Sequence, residues 1–231
     1  MNHRDKLGGE TFTASVDSTL RSELIRSSSM SAVPVTQFTL AEYLAREQTA
    51  PCKSEFYRGH IFAMSGGTPQ HSAVGGNIFA SLRGRLRGTP CRPYNSDLKI
   101  RIPANGLITY PDVSVICGEL QLDPQAPEAI NNPRVIIEVL SKSTESYDRG
   151  KKFGLYRQLE SLREYILVAQ DEPHVERFVR QDDGSWLLTE FKGLEAVVEL
   201  TTLNCALPLA EIYEDVTFVP DEASSDLTVT G

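Results

Sequence analysis

The run VIIEVL, residues 135–140, constrains this chain most: it is apolar on both faces except at one carboxylate, Glu138. A strand of that kind belongs at the centre of a sheet covered on both sides. A carboxylate buried there is costly unless a cation or hydrogen bonds meet it. Glu138 therefore ties the core of the fold to its chemistry. YPDVSVI sets Asp112 just ahead of a second apolar strand, and EYILVA, from Glu164, reads as a third. Between VIIEVL and EYILVA, the segment STESYDRGKKFGLYRQLESL reads as one helix with Phe153, Tyr156 and Leu159 toward the core.

The remaining elements fit around that unit. FTLAEYLAREQ is the first clear helix, with Thr39 as N-cap and Glu42 completing a capping box. EFYRGHIFAMSGG suggests a hairpin around Gly59. In HSAVGGNIFASLRGRLRG, Val74, Ile78, Leu82 and Leu86 fall at helical spacing. YNSDLKIRI alternates as a single strand, with Leu98, Ile100 and Ile102 on one face and Asp97, Lys99 and Arg101 on the other. VERFVRQ and WLLTEF predict a hairpin turning at Asp183-Gly184. The order describes an α/β fold, a mixed sheet flanked by helices in a single domain over residues 32–219. Residues 1–31 lack hydrophobic periodicity and read as a disordered extension, and residues 220–231 as an acidic tail.

Composition narrows the partners. No apolar run reaches the roughly 18–20 residues of a membrane span, and the polar N-terminus offers no secretory h-region. Cys52, Cys91, Cys117 and Cys205 lie far apart without a C-x-x-C pair, so they read as reduced thiols of a cytoplasmic protein. The net charge of −8 argues against a nucleic-acid partner until its distribution is considered. Eight acids lie between Gly193 and Gly231, where no Lys or Arg occurs, and the rest of the chain is balanced. Arg83, Arg85, Arg87, Arg92, Lys99 and Arg101 crowd one short stretch. They form either a phosphate-holding patch or a solvated face.

Asp112 and Glu138, placed on neighbouring strands, repel one another, and one divalent cation relieves both the repulsion and the burial. Mg²⁺ (or Mn²⁺) takes one or two protein carboxylates and fills its other positions with water and phosphate oxygens. It acidifies the attacking water and neutralises charge on the phosphate. The competing reading pairs Glu138 with a structural arginine, Arg134 or Arg163.

P-D at one strand start, followed by E-V-L-S at the end of the next, resembles the PD-(D/E)XK nuclease superfamily. More narrowly, the chain resembles the Uma-two family of restriction-endonuclease-like domains. SEFYRGHIFAMSGGTPQH, SDLKIRI, YPDVSVICG, the stretch from VIIEVL through EYILV, and LPLAEIYEDVTF share its cast, over roughly residues 35–218. The resemblance implies a restriction-endonuclease-like fold and a Mg²⁺-dependent endonuclease acting on nucleic acid, with DNA the expected substrate. It implies Asp112 and Glu138 as metal ligands. The superfamily's lysine, two residues after the second acid, is replaced by Leu140. Lys152, where this family usually keeps one, stands in for it; alternatively Lys152 forms an exposed salt bridge to Asp148. Glu55 matches an early acid that completes the site, or is a solvent-facing acid. His71 opens the long helix, where it would meet a phosphate drawn to the helix N-terminus, or else it caps the helix or fills a polar pocket. Asp97 lies beside the cleft or in a surface pair. Analogy with the superfamily suggests a homodimer. A nuclease-fold module that binds without cutting, and a hydrolase of another phosphoester, are the alternative functions.

Overall fold

The computed structural model describes residues 37–218, so the readings of residues 1–31 and 220–231 lie outside the described part. The chain begins with α1 (Leu40–Glu47) and the hairpin β1 (Ser54–Tyr57) and β2 (His60–Ala63), followed by α2 (Pro69–Arg85). Strands β3 (Cys91–Asn95), β4 (Lys99–Arg101), β5 (Ile108–Thr109), β6 (Val113–Cys117), β7 (Leu122–Asp123), β8 (Ala126–Ile130) and β9 (Val135–Leu140) come next. A helical segment follows as α3 (Glu145–Tyr147), a π-helical turn (Asp148–Lys152) and α4 (Phe153–Tyr156). The chain continues through β10 (Glu164–Ala169), β11 (His174–Arg180), β12 (Trp186–Lys192), β13 (Val197–Leu200), β14 (Cys205–Pro208) and α5 (Leu209–Ile212).

The central sheet runs β12-β11-β10-β9-β6-β3. Only β9 and β10 are parallel within it, as a helical crossover requires. Alternation along β9 divides the interior. Val135, Ile137 and Val139 join Val74, Ile78 and Leu82 of α2 in one cluster, which also takes in β13, β14 and α5. Ile136 and Leu140 point the other way, to Phe153, Tyr156 and Tyr165. Glu138 shares that second face by the same period of two. A second sheet, β2-β1-β5-β4-β8-β7, lies outside what the sequence reading foresaw. Its Ile100 belongs to the same cluster as Tyr156, so the two sheets meet over the layer that holds Glu138.

Local chemistry explains the elements. The Thr39 hydroxyl accepts from the Glu42 amide at 3.2 Å, and the Glu42 carboxylate accepts from the Thr39 amide at 2.7 Å, closing the capping box. Arg58 and Gly59, both at positive φ, make the β1–β2 turn, and Gly184 at φ 82° sits in the β11–β12 turn.

Three expectations need correction. YNSDLKIRI is two strands in different sheets, because Asn95 accepts the Asp97 amide at 3.2 Å and folds the chain into a turn. Asp97 therefore shares no strand face with Lys99; it pairs with Lys53 at 2.6 Å on the surface. The four cysteines are not all reduced: Cys91 and Cys117 stand directly opposite on β3 and β6 and are joined as a disulfide. Antiparallel pairing brings side chains together however far apart they are in sequence, so scattered thiols no longer imply a reducing compartment. The helix after β9 is interrupted by its π turn. In the arginine-rich stretch, left open as a phosphate-holding patch or a solvated face, three of the six cations are paired with acids. Arg101 is spent on buried Asp123 at 2.6 Å, Arg85 on Glu211 at 2.6 Å and Lys99 on Glu128 at 3.2 Å. Among the described residues, no helix is long and apolar enough to cross a membrane.

Candidate active site

Four carboxylates reach one cleft from four elements. Glu138 comes from β9, Asp112 from the residue before β6, Glu55 from β1 and Asp148 from the π turn. Lys152 closes that turn and projects its ammonium among them, 2.9 Å from Glu138 Oε1 and 3.4 Å from both Glu55 Oε1 and Asp148 Oδ1. The sequence reading set a catalytic Lys152 against an exposed pair with Asp148. The pair with Asp148 exists, but it is buried and shared with two other acids. Glu55 is likewise buried, accepting from the Thr109 hydroxyl at 2.5 Å and the Tyr147 hydroxyl at 3.3 Å. Arg134 and Arg163 are not the partners of Glu138. The buried Tyr156 hydroxyl donates to Glu138 Oε1 at 2.8 Å, on the same oxygen that Lys152 holds.

The π turn explains how the lysine arrives there. A turn that closes one residue wider than an α-helix shifts the face of the helix on its C-terminal side relative to the N-terminal side. Asp148 and Lys152 are both buried while Lys151 stays exposed, its ammonium 5.0 Å from the Tyr57 ring centroid. The Asp148 carbonyl in the widened turn accepts from the Tyr165 hydroxyl at 3.1 Å. Position 140, where the superfamily's lysine would stand, holds a leucine packed in the core.

Electrostatics mark this cluster as short of positive charge. Burial pushes the Glu138 carboxyl up to about 8, opposed by Lys152 and reinforced by Asp148 and Asp112. Burial also raises Asp148, against the pull of Lys152, and Asp148 Oδ1 is buried with no hydrogen-bond partner. Burial works against a charged Lys152, yet Glu138, Glu55 and Asp148 outweigh it and hold the ammonium well above its usual range. One lysine for so many buried acids leaves an excess of negative charge. That donor set of hard carboxylate oxygens suits a divalent cation.

Asp112 accepts the Val139 amide at 2.8 Å, which locks it to β9 one residue beyond Glu138. Its other neighbour is His71, which the sequence did not place beside it: His71 Nε2 lies 3.3 Å from Asp112 Oδ2. Thr68 caps α2 by accepting the His71 amide at 3.1 Å, so the imidazole stands on the first helical turn. The hydrogen bond to Asp112 raises the imidazole's affinity for a proton, burial opposes this, and the Asp112 charge and the Val139 main chain add to the rise. The clue in the sequence was the glycine pair ahead of T-P-Q-H. A Cβ on Gly67 would lie 2.7 Å from His71 Nδ1, so only glycine lets the ring sit where it does. The cleft has two lobes that meet at Asp112 and His71. One, of about 550 Å³, holds Glu55, Glu138, Tyr147 and Lys152; the other, of about 990 Å³, holds Lys53, Asn95 and Lys99.

A second group of possible ligands lies on the β11–β12 hairpin, where atoms of His174, Glu176 and Glu190 fall within 4.8 Å of one another. Here Arg149 already binds Glu176 and Lys192 lies 3.4 Å from Glu190.

The fold is shared with a crystal structure of a "putative nuclease belonging to DUF820" from Anabaena variabilis, at a TM-score of 0.61 and 18% identity. The likeness covers 76% of this chain and 97% of that one, and it defines a restriction-endonuclease-like fold. Residues 40–210 match the family described as Uma2, "Putative restriction endonuclease", and the chain belongs to that family. Two uncharacterized Synechocystis proteins are similar over most of their length. The protein slr1290 is 34% identical over 187 residues, covering 81% of this chain and 97% of that one. The protein sll1609 is 36% identical over 166 residues, covering 72% and 94%.

Proposed function

We propose that this protein is a metal-dependent endonuclease that hydrolyses phosphodiester bonds of nucleic acid, DNA in the first instance, with Mg²⁺ or Mn²⁺ as its cofactor. The observation that carries the reading is the convergence of Asp112, Glu138, Glu55 and Asp148 on one cleft around the Lys152 ammonium. A buried carboxyl, pushed up to about 8 despite a lysine at 2.9 Å, sits among further acids at the foot of an open cleft. Asp112 and Glu138 would hold the ion. A divalent ion bound there supplies an acidified water and offsets charge on the phosphate. The remaining work falls to side chains. Tyr156 fixes the Glu138 carboxylate by its hydrogen bond. Lys152 holds a proton at Nζ, orients the attacking water and neutralises charge on the phosphate oxygens. Glu55 and Asp148 anchor that ammonium from two sides and keep it charged.

The test is incubation of the full chain with supercoiled plasmid, single-stranded DNA and RNA across a titration of Mg²⁺ and Mn²⁺. Cleavage that appears with metal and vanishes in Asp112→Asn supports the reading. Binding of these substrates without cleavage under every condition would favour a non-cutting nuclease-fold module, and cleavage insensitive to Asp112 would refute the site.

A further inference from the structure

The geometry points to His71 Nε2 as a third protein ligand of the ion at Asp112, a nitrogen donor that biases the site toward Mn²⁺ over Mg²⁺. This rests on the proposed metal site and adds a residue that the acid-and-lysine pattern does not contain.

Two donors each roughly 2.1 Å from one ion sit about 3 Å apart at adjacent corners of an octahedron. His71 Nε2 and Asp112 Oδ2 are 3.3 Å apart, joined by a proton that an ion bound between them would displace. The Val139 amide keeps Oδ2 in place at 2.8 Å, and both side chains are 20% exposed. They also mark the junction of its two lobes. The imidazole is held there from behind. Gly67 lies so close that a Cβ would come within 2.7 Å of Nδ1 and 2.9 Å of Cγ, and the Thr68 cap fixes the backbone at 3.1 Å. A residue whose only task was to cap the helix would not need its ring wedged against a glycine and aimed at a carboxylate.

The choice of ion depends on the donor. Carboxylate and water suit Mg²⁺, whereas imidazole adds affinity for transition-metal ions, so one nitrogen shifts the balance between two ions of similar size. The hairpin histidine His174 is the other source of an imidazole nitrogen near carboxylates, and the experiment must separate the two.

The full chain is loaded with one equivalent of Mn²⁺ and probed by pulsed electron paramagnetic resonance for nitrogen coupled to the ion. The expected result is a directly bound nitrogen in the wild type and in His174→Ala, absent from His71→Ala. The same His71 variant should bind Mn²⁺ more weakly, on the order of 10–100-fold, the range that loss of even an outer partner of a ligand costs. Its Mg²⁺ affinity should change far less. The wild-type spectrum is itself diagnostic and does not depend on any variant folding. Mn²⁺ bound in an Asp112-dependent manner without nitrogen coupling, or coupling that survives in His71→Ala, overturns the inference and leaves the metal site standing. Mn²⁺ binding unchanged by Asp112→Asn removes the site and the inference together.

Discussion

In the cleft, Glu55, Glu138 and Asp148 share a single ammonium, that of Lys152, and all four side chains are at most 10% exposed. On the hairpin, Glu172, Glu176 and Glu190 are met by Arg149, Lys192 and His174, with Glu172 and Glu190 68% and 49% exposed. The hairpin ligands converge more tightly, yet Glu172 and Glu190 stand largely in water, which screens their charge. The cleft acids are dry and under-compensated. Proximity of acids is common on a surface, where water screens it and pairs are worth little. A charge deficit persists only where solvent cannot relieve it, and such a deficit calls for an ion.

The sharpest way to break this comparison is to neutralise one acid in each place. Glu138→Gln should reduce nucleic-acid cleavage by on the order of 10³-fold or more, the scale on which a key electrostatic group acts. Glu190→Gln should leave the rate within about threefold, since that carboxylate is half exposed, lies outside the cleft and makes only a surface pair with Lys192. Comparable losses in the two variants would erase the distinction. Next comes the lysine. Lys152→Ala should cost about 10²–10³ in rate, the usual worth of one donor that stabilises developing charge, while Lys151→Ala costs little. Because removing one partner of a buried pair destabilises strongly, by about 3–5 kcal/mol, the melting temperature of Lys152→Ala must be read with added metal. Moving the lysine to position 140 is foreclosed, since Leu140 is packed among Phe153, Tyr156 and Tyr165.

Metal should then separate the two places without reference to activity. An ion present at 100 times its dissociation constant stabilises a fold by about 2.7 kcal/mol. Thermal melts in Mg²⁺ or Mn²⁺ against chelator should show this gain in the wild type and in a Glu176→Gln, Glu190→Gln variant, and lose it in Glu138→Gln. Loss in the hairpin variant instead would reverse the assignment. The smallest effect belongs to an exposed, balanced pair. The hydrogen bond from Arg85, then that from Ser81, holds the Glu211 carboxyl below its ordinary value. Its stabilising contribution is therefore present above the ordinary carboxyl value near 4.5 and fades as pH falls through the lowered one. Melts of wild type and Glu211→Gln should differ by no more than about 1 kcal/mol at neutral pH and converge in acid.

How much of this was legible beforehand depended on the range of the interaction. The capping box at Thr39, the Val74-Ile78-Leu82 stripe and the two-sided apolar run around Glu138 are local patterns, and each formed where the sequence placed it. Contacts across the fold were not readable in the same way. That Glu55 meets Lys152 depends on a second sheet closing over the first, and that His71 meets Asp112 depends on α2 crossing the end of β6. Cys91 and Cys117 were legible only through the register of β3 with β6. Near Asn95, strand alternation continued on paper while a side-chain hydrogen bond turned the backbone, so a local cue misled because a stronger local cue stood inside it.

The π turn carries a consequence for how this chain tolerates change. Between Asp148 and Lys152 the position of the ammonium is encoded by a count of residues as much as by their identity. Deleting one residue there, Gly150 for instance, would let the turn close as an α-helix, because a π turn is an α turn that holds one extra residue, and α4 would keep its face toward the core. Asp148 and Lys152 would then stand three residues apart instead of four, and the ammonium would lose the place that the wider turn gives it among Glu138, Glu55 and Asp148. A single in-frame codon lost here would thus spare the scaffold and still undo its chemistry.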